Sequence, residues 1–156
     1  MLVIRRACKK DIPDISKLLS QVLEIHHEGR PDIFKGKAVK YTPGELEDII
    51  CDNTRPVFVS VIDGQVCGYA FCIIQQHEND NILTDIKTLY IDDLCVDEDL
   101  RGKHIGKDLY DYVQGFAREI GCYNLTLNVW EENKAAKRFY EKSGMSVQKT
   151  VMEKIL

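Results

Sequence analysis

The stretch Tyr90-Ile91-Asp92-Asp93-Leu94-Cys95-Val96 constrains the fold most, because it carries apolar side chains on both parities of a strand. A strand of that kind is covered on both faces, so the chain must supply packing layers above and below a sheet. The hydrophobic periods elsewhere provide them. Leu2 to Arg6 reads as a short strand, and Asp11 with Pro13 two residues on reads as a helix start. That helix reaches about His27 and aligns Ile15, Leu18, Leu19, Val22 and Ile25 on one face. Glu28 to Lys40, with Gly29, Pro31 and Gly36, breaks the period and reads as a loop. Thr42-Pro43-Gly44-Glu45 is a capping box opening a short helix to Cys51. Val57 to Ile62 and Gln65 to Gln76 form a hairpin about Asp63-Gly64, followed by a polar turn and an extended stretch from roughly Thr84 to Val96. Ile105 to Ile120 is an amphipathic helix with Gly121 past its end. Leu125, Leu127 and Val129 mark a strand, Asn133 to Ser143 a helix ended by Gly144, and Met145 to Ile155 a final strand. The expectation is an α/β fold, a mixed and mostly antiparallel sheet of about six to seven strands flanked by about four helices.

No repeat, linker or low-complexity tract interrupts the 156 residues, so residues 1–156 are expected to form one domain. A formal net charge of -4 lacks the electrostatic footprint of a protein whose main task is gripping nucleic acid. The apolar start Met1 to Ile4 stops at Arg5-Arg6, which is neither a signal-peptide core nor a membrane span; a cytoplasmic protein is expected. The six cysteines show no CxxC pair and no His at ligand spacing, so we expect reduced thiols, chiefly small buried hydrophobes, and no metal.

Between the central strand and the long helix lies Asp97-Glu98-Asp99-Leu100-Arg101-Gly102-Lys103-His104-Ile105-Gly106-Lys107. Helix starts leave N–H groups unpaired at the positive end of the dipole, and Gly102 and Gly106 admit a ligand to the backbone. Arg101, Lys103 and Lys107 add local positive charge in an acidic protein, so a phosphate group suits the junction. A Walker loop needs four residues between its glycines and Ser or Thr after Lys; three separate Gly102 from Gly106, and Asp108 follows Lys107. The dinucleotide fingerprint is also missing. A cationic helix entry that binds nothing is the plain alternative.

Leu94-Cys95-Val96, Arg101-Gly102-Lys103-His104-Ile105-Gly106 and Asn133-Lys134-Ala135-Ala136-Lys137-Arg138-Phe139-Tyr140-Glu141-Lys142-Ser143-Gly144-Met145 together resemble the acyl-CoA motifs of the GNAT N-acetyltransferase superfamily. The order fits along the whole chain. His104 stands where the family's loop usually has its first Gly. The resemblance implies the GNAT-like acyl-CoA N-acyltransferase fold, acetyl-CoA as co-substrate, an amine on a small molecule or peptide as acceptor, and a homodimer. It further implies that N–H groups from Arg101 through Lys103, His104, Ile105 and Gly106 to Lys107 hold the CoA pyrophosphate. Leu94, Cys95 and Val96 would offer main-chain groups to the pantetheine, their strand splaying from Asn124 to Val129, with such donors stabilising developing negative charge. Asn133 resembles the family's CoA-contacting Asn, and Tyr140 its general acid.

An amine attacks a thioester only when neutral, and for a lysine-like amine that costs about 4.6 kcal/mol at pH 7. Asp92 or Asp93 is the carboxylate to take the proton, directly or through water. Strand parity groups Asp92 with Leu94 and Val96, and Asp93 with Cys95, so a regular strand turns only one toward the cleft; we assign Asp92 as base and Asp93 to substrate binding. Cys95 offers a covalent alternative, without a visible basic partner. His26 and His27 diverge by about 100° and cannot chelate together; His26 is a candidate for the acceptor cleft, as is Phe34 in the loop Glu28 to Lys35, where the family's acceptor specificity tends to reside. Acidic Asp92, Asp93, Glu131 and Glu132 favour a cationic amine. The competing functions are a non-catalytic CoA-binding sensor or partner-binding module, and a nucleotide-binding regulator.

Overall fold

In the computed structural model, which describes residues 1–156, the elements run β1 (Leu2–Arg6), α1 (Ile12–Gly29), α2 (Pro43–Cys51), β2 (Val57–Ile62), β3 (Gln65–Gln76), β4 (Lys87–Val96), α3 (Ile105–Glu119), β5 (Asn124–Leu127) and α4 (Lys134–Lys142). Single 3-10 turns occupy Lys9–Asp11 and Glu98–Leu100. The sheet order is β1-β2-β3-β4-β5, antiparallel from β1 to β4 and parallel between β4 and β5. Alternation along β3 builds two cores. Tyr69 and Phe71 pack with Ile15, Leu18 and Leu46 of α1 and α2, whereas Ala70 and Cys72 pack with Leu109 and Val113 of α3. β4 is thus covered on both sides, as its composition requires.

Local signals set the hairpin and α2. Asp63 and Gly64 have φ of 49° and 82°, the left-handed conformations a two-residue hairpin turn needs. Thr42 Oγ1 accepts the Glu45 N–H at 3.2 Å while Glu45 Oε2 accepts the Thr42 N–H at 2.7 Å, closing the capping box. Asp11 does not cap α1 with its side chain. Its carboxylate turns back to accept both Arg5 Nη groups (2.7 and 2.8 Å) and the Cys8 N–H (2.8 Å), tying the start of α1 to β1.

Three expectations change. The sheet has five strands: β5 ends at Leu127, and residues 145–156 join no strand. Strand-like alternation specifies what a segment can pair with, not whether an edge lies within its reach. Cysteines divide by position, with Cys67, Cys72 and Cys95 buried but Cys8 and Cys51 exposed, all six free. The third change, a bulge in β4, is described with the site. No helix is long and apolar enough to cross a membrane.

Arg5 and the Cys8 N–H hold the buried Asp11 carboxyl down at about 2, against an unfolded value of about 3.9. A depressed carboxylate stabilises the fold above its unfolded pKa and loses that contribution as pH falls toward the folded one. Asp11→Asn is expected to cost about 2 kcal/mol at pH 7 and to flatten the loss of stability between about pH 4 and pH 2, read from urea midpoints across pH.

Candidate functional site

β5 pairs with β4 from Thr88↔Asn124 to Ile91↔Leu127 and no further. From Asp92 to Val96, β4 is bonded to β3 alone, so its other edge borders open space. That space is a cleft of about 580 Å³ between the end of β4, the loop before α3, the exit of β5 and α4. Asp92, Asp93, Leu94, Cys95, Val96, Asn133 and Tyr140 all line it, as do Arg101, Gly102, His104, Ile105, Gly106, Lys107 and His26. Lys103 and Phe34 do not. Phe34 lines an adjoining pocket of about 290 Å³ that shares Ile25, His26, Trp130 and Asn133 with the cleft.

At one end the loop turns through Gly102 (φ 82°) and His104 (φ 63°) into α3. The first backbone bond of the helix is from the Asp108 N–H to the His104 carbonyl (3.0 Å), and no backbone acceptor serves the amides of Gly102 to Lys107. Six neighbouring donors at a positive helix end make an anion cradle. His104 occupies the left-handed region that glycine enters freely, at a strain of about 1–2 kcal/mol. The cationic supplement is smaller than charge counting implies: Lys107 is paired with Asp111 one helical turn on, and Arg101 Nε reaches the Val96 carbonyl at 3.4 Å.

At the other end β4 is irregular. Phe71 pairs with Asp93 and Cys72 with Ile91, leaving Asp92 as the extra residue of a β-bulge. The bulge cancels the parity argument. Both carboxylates turn to one cation, Lys40 Nζ, which lies 3.5 Å from an oxygen of each. Asp93 is the more enclosed (10 % side-chain exposure against 28 % for Asp92) and accepts the Tyr69 hydroxyl at 3.0 Å. Burial pushes the Asp93 carboxyl above the usual range, outweighing Lys40 and Tyr69, which pull it down. Burial opposes the charge of Lys40, but the two aspartates outweigh it and hold the ammonium protonated.

His26 and Phe34 stack (ring centroids 5.0 Å apart), and Trp130 meets Phe34 edge-on at 5.3 Å. His27 Nδ1 lies 2.7 Å from the Phe34 carbonyl oxygen, so the two histidines divide their roles, His26 facing the cleft and His27 holding the loop. Burial lowers the His26 pKa, favouring neutral imidazole. Tyr140 packs against Tyr110 and Phe139, and burial raises its pKa, which keeps the proton on its hydroxyl. Burial also pushes the Cys95 thiol to about 12, leaving it without the thiolate character a nucleophile needs. Asn133 caps α4, its side-chain oxygen accepting the Ala136 N–H at 3.2 Å, while its residue lines the cleft.

Three members of the site escape sequence reasoning. Lys40 sits in an irregular loop 52 residues from Asp92, with nothing local to mark it. Trp130 follows β5 as an isolated aromatic. Tyr69 had a usable signal: an inward-facing Tyr on a covered strand needs a partner for its hydroxyl, and Asp93 lies on the adjacent strand.

Residues 19–145 match the profile of the acetyltransferase (GNAT) family. Glucosamine 6-phosphate N-acetyltransferase of Arabidopsis thaliana is 38 % identical over 68 residues, 44 % of this chain and 44 % of that protein, so the match spans less than half of that relative. The structure of a tetramutant of the BH1408 protein from Bacillus halodurans superposes with a TM-score of 0.94 at 31 % identity, covering 99 % of each chain. The aminoglycoside N-acetyltransferase AAC(6')-Iy in complex with CoA shares the fold, with a TM-score of 0.74 at 17 % identity over 99 % of this chain and 98 % of that one. With the diverging strands and the amide cradle already in place, the extent of the profile match settles the matter: this chain belongs to the acetyltransferase (GNAT) family.

Proposed function

We propose that the protein moves the acetyl group of acetyl-CoA to a primary amine by direct attack, the amine arriving as a cation drawn to Asp92 and Asp93. One observation carries the reading of the acceptor: the chain's own ammonium, on Lys40, lies 3.5 Å from both carboxylates beside the cleft. An acceptor ammonium finds the same electrostatic complement there once Lys40 yields the place. The relative from Arabidopsis thaliana is by its name an N-acetyltransferase of an amino sugar phosphate, which accords with a primary amine as acceptor.

The amides of Gly102 to Lys107 are assigned to the CoA pyrophosphate, with Arg101 beside them, and the free edge of Leu94, Cys95 and Val96 to the pantetheine and the thioester carbonyl. Lys103 joins this set through its backbone only. Asn133 is assigned to the same ligand from the head of α4, and His26 and Phe34 to the acceptor wall. A carboxylate takes a proton from the ammonium, the neutral nitrogen attacks the carbonyl carbon, the C–S bond breaks as the departing thiolate takes a proton from Tyr140, and the second proton of the nitrogen returns to the tyrosinate directly or through water. Strand parity alone favours Asp92; the bulge removes that reason, and the raised pKa of enclosed Asp93 makes it the better base, with Asp92 holding the incoming cation. The buried, neutral Cys95 thiol supports direct transfer over a covalent acyl-enzyme.

Thiol release from acetyl-CoA across a panel of amino sugars, polyamines, amino acids and peptides tests the assignment. Turnover with a primary amine is expected; tight calorimetric binding of CoA without turnover of any acceptor would establish the sensor instead. Tyr140→Phe is expected to lower kcat by about 100-fold or more with CoA affinity unchanged.

Removing a cation beside a carboxylate raises the carboxylate's pKa, because the charged form loses its partner. Lys40→Met should therefore move the acidic limb of the pH–kcat/KM profile to higher pH and lower the KM for the amine. Asp93→Asn should abolish that limb and reduce kcat by about 100- to 10,000-fold. If Asp92→Asn abolishes the limb and Asp93→Asn leaves it in place, Asp92 is the base.

A further inference from the structure

Asp92 and Asp93 already hold a primary amine, and it belongs to the chain. Lys40 reaches them from the loop between α1 and α2, with Nζ 3.5 Å from an oxygen of each, and pairs with no other carboxylate. The Tyr41 ring, stacked on Phe71 at 5.9 Å, backs the ammonium with its centroid 5.4 Å from the nitrogen. An amine of the chain thus occupies the place assigned to the acceptor's cation.

Two features let this amine react as well as bind. The main-chain edge assigned to the thioester carbonyl begins at Leu94, the residue after Asp93. The loop can also bring Nζ onward to that edge: no backbone hydrogen bond involves residues 35–41, Val39 is 78 % exposed, and the four-carbon stem of lysine is flexible. The lysines that line the cleft are placed worse. Lys107 stands at the anion-binding end and is paired with Asp111, and Lys142 forms no ion pair with Asp92 or Asp93.

Resting on the proposed amine acetylation, we propose that Lys40 is a modification site of the protein's own making: with acetyl-CoA bound and no external amine, the chain acetylates Lys40 and thereby frees its acceptor place. The Lys40 ammonium gives one proton to Asp93, which passes it to water, and the neutral nitrogen attacks the thioester carbon. The N–C bond forms, the C–S bond breaks, the CoA thiolate takes a proton from Tyr140, and the nitrogen's surplus proton returns to the tyrosinate. Free CoA leaves and a neutral amide remains on Lys40. An amide has no charge to set against Asp92 and Asp93, so the pair then meets an external ammonium without an internal rival. A place filled from within binds an outside ligand more weakly by the fraction of time it stands free. Self-acetylation therefore turns a closed acceptor place into an open one whenever acetyl-CoA is present.

Incubating the full chain with acetyl-CoA alone, followed by intact-mass spectrometry and peptide mapping, tests this. One acetyl group is expected on Lys40, added at a first-order rate independent of protein concentration, slowed in Asp93→Asn and in Tyr140→Phe, and absent from Lys40→Arg. The acetylated chain, freed of acetyl-CoA and assayed with an external amine, should show a KM about tenfold lower than the untreated chain, and Lys40→Gln should match it without treatment. Acetyl groups spread over exposed lysines at the rate seen in urea-unfolded chain, or placed on Lys107 or Lys142 in preference to Lys40, overturn the proposal. An unmodified Lys40 in a protein that turns over an external amine overturns it alone; an unmodified Lys40 with no amine turned over overturns it together with the acetyltransferase reading. Acetylation of Lys40 that leaves KM unchanged overturns the opening of the acceptor place.

Discussion

Strand β4 pairs with β3 from Lys87 to Val96, with Asp92 bulged out, but with β5 only as far as Ile91, and that lopsided pairing creates the cleft. A parallel neighbour ending early exposes an ordered edge in the interior of the sheet, where main-chain donors are already fixed by their bonds on the far side. Such groups need no reorganisation to meet a polar ligand. The same divergence lets α4 swing Tyr140 toward the gap, against Tyr110 of α3.

The cleft is polarised along its length. Unpaired amides and the α3 dipole make one end receptive to anions, while Asp92 and Asp93 make the other end receptive to cations. Opposite preferences at the two ends are the electrostatic ground of the proposed reaction between a phosphate-bearing donor and an amine. Lys40 holds the acidic half in balance. Two neighbouring carboxylates repel each other, and the ammonium 3.5 Å from an oxygen of each offsets that repulsion.

Irregular backbone gathers around this site. His104 holds a left-handed conformation at the helix entry, and Asp92 is the extra residue of a bulge. Both re-aim side chains or amides that a regular strand and helix would point elsewhere. The two layers packed on the sheet hold them in place, with Leu18, Tyr69 and Cys95 on one face and Leu109, Val113 and Ile91 on the other.

Hydrophobic period and cap chemistry made the helices, the hairpin and the doubly covered strand legible from the residues alone, because each depends on neighbours within a few positions. The loop from Arg101 to Lys107 was legible for the same reason, its glycines and helix start being local. The acidic half was not. Parity argues from a regular pleat, and the bulge that undoes it arises from how β3 and β4 align over many residues. Lys40 and Trp130 reach the site through the folding of loops remote in sequence, with no period to announce them. The final segment shows the same boundary: its alternation declares a strand, but where a strand pairs depends on which edge three-dimensional packing leaves open. The sequence by itself determined the helices, the hairpin and the doubly covered strand, and the open helix start that follows it, since those rest on short-range sterics and unpaired amides. Only the tertiary structure decided which carboxylate is enclosed, which cation faces it and that the final segment joins no strand, since those depend on distances between residues far apart in the chain.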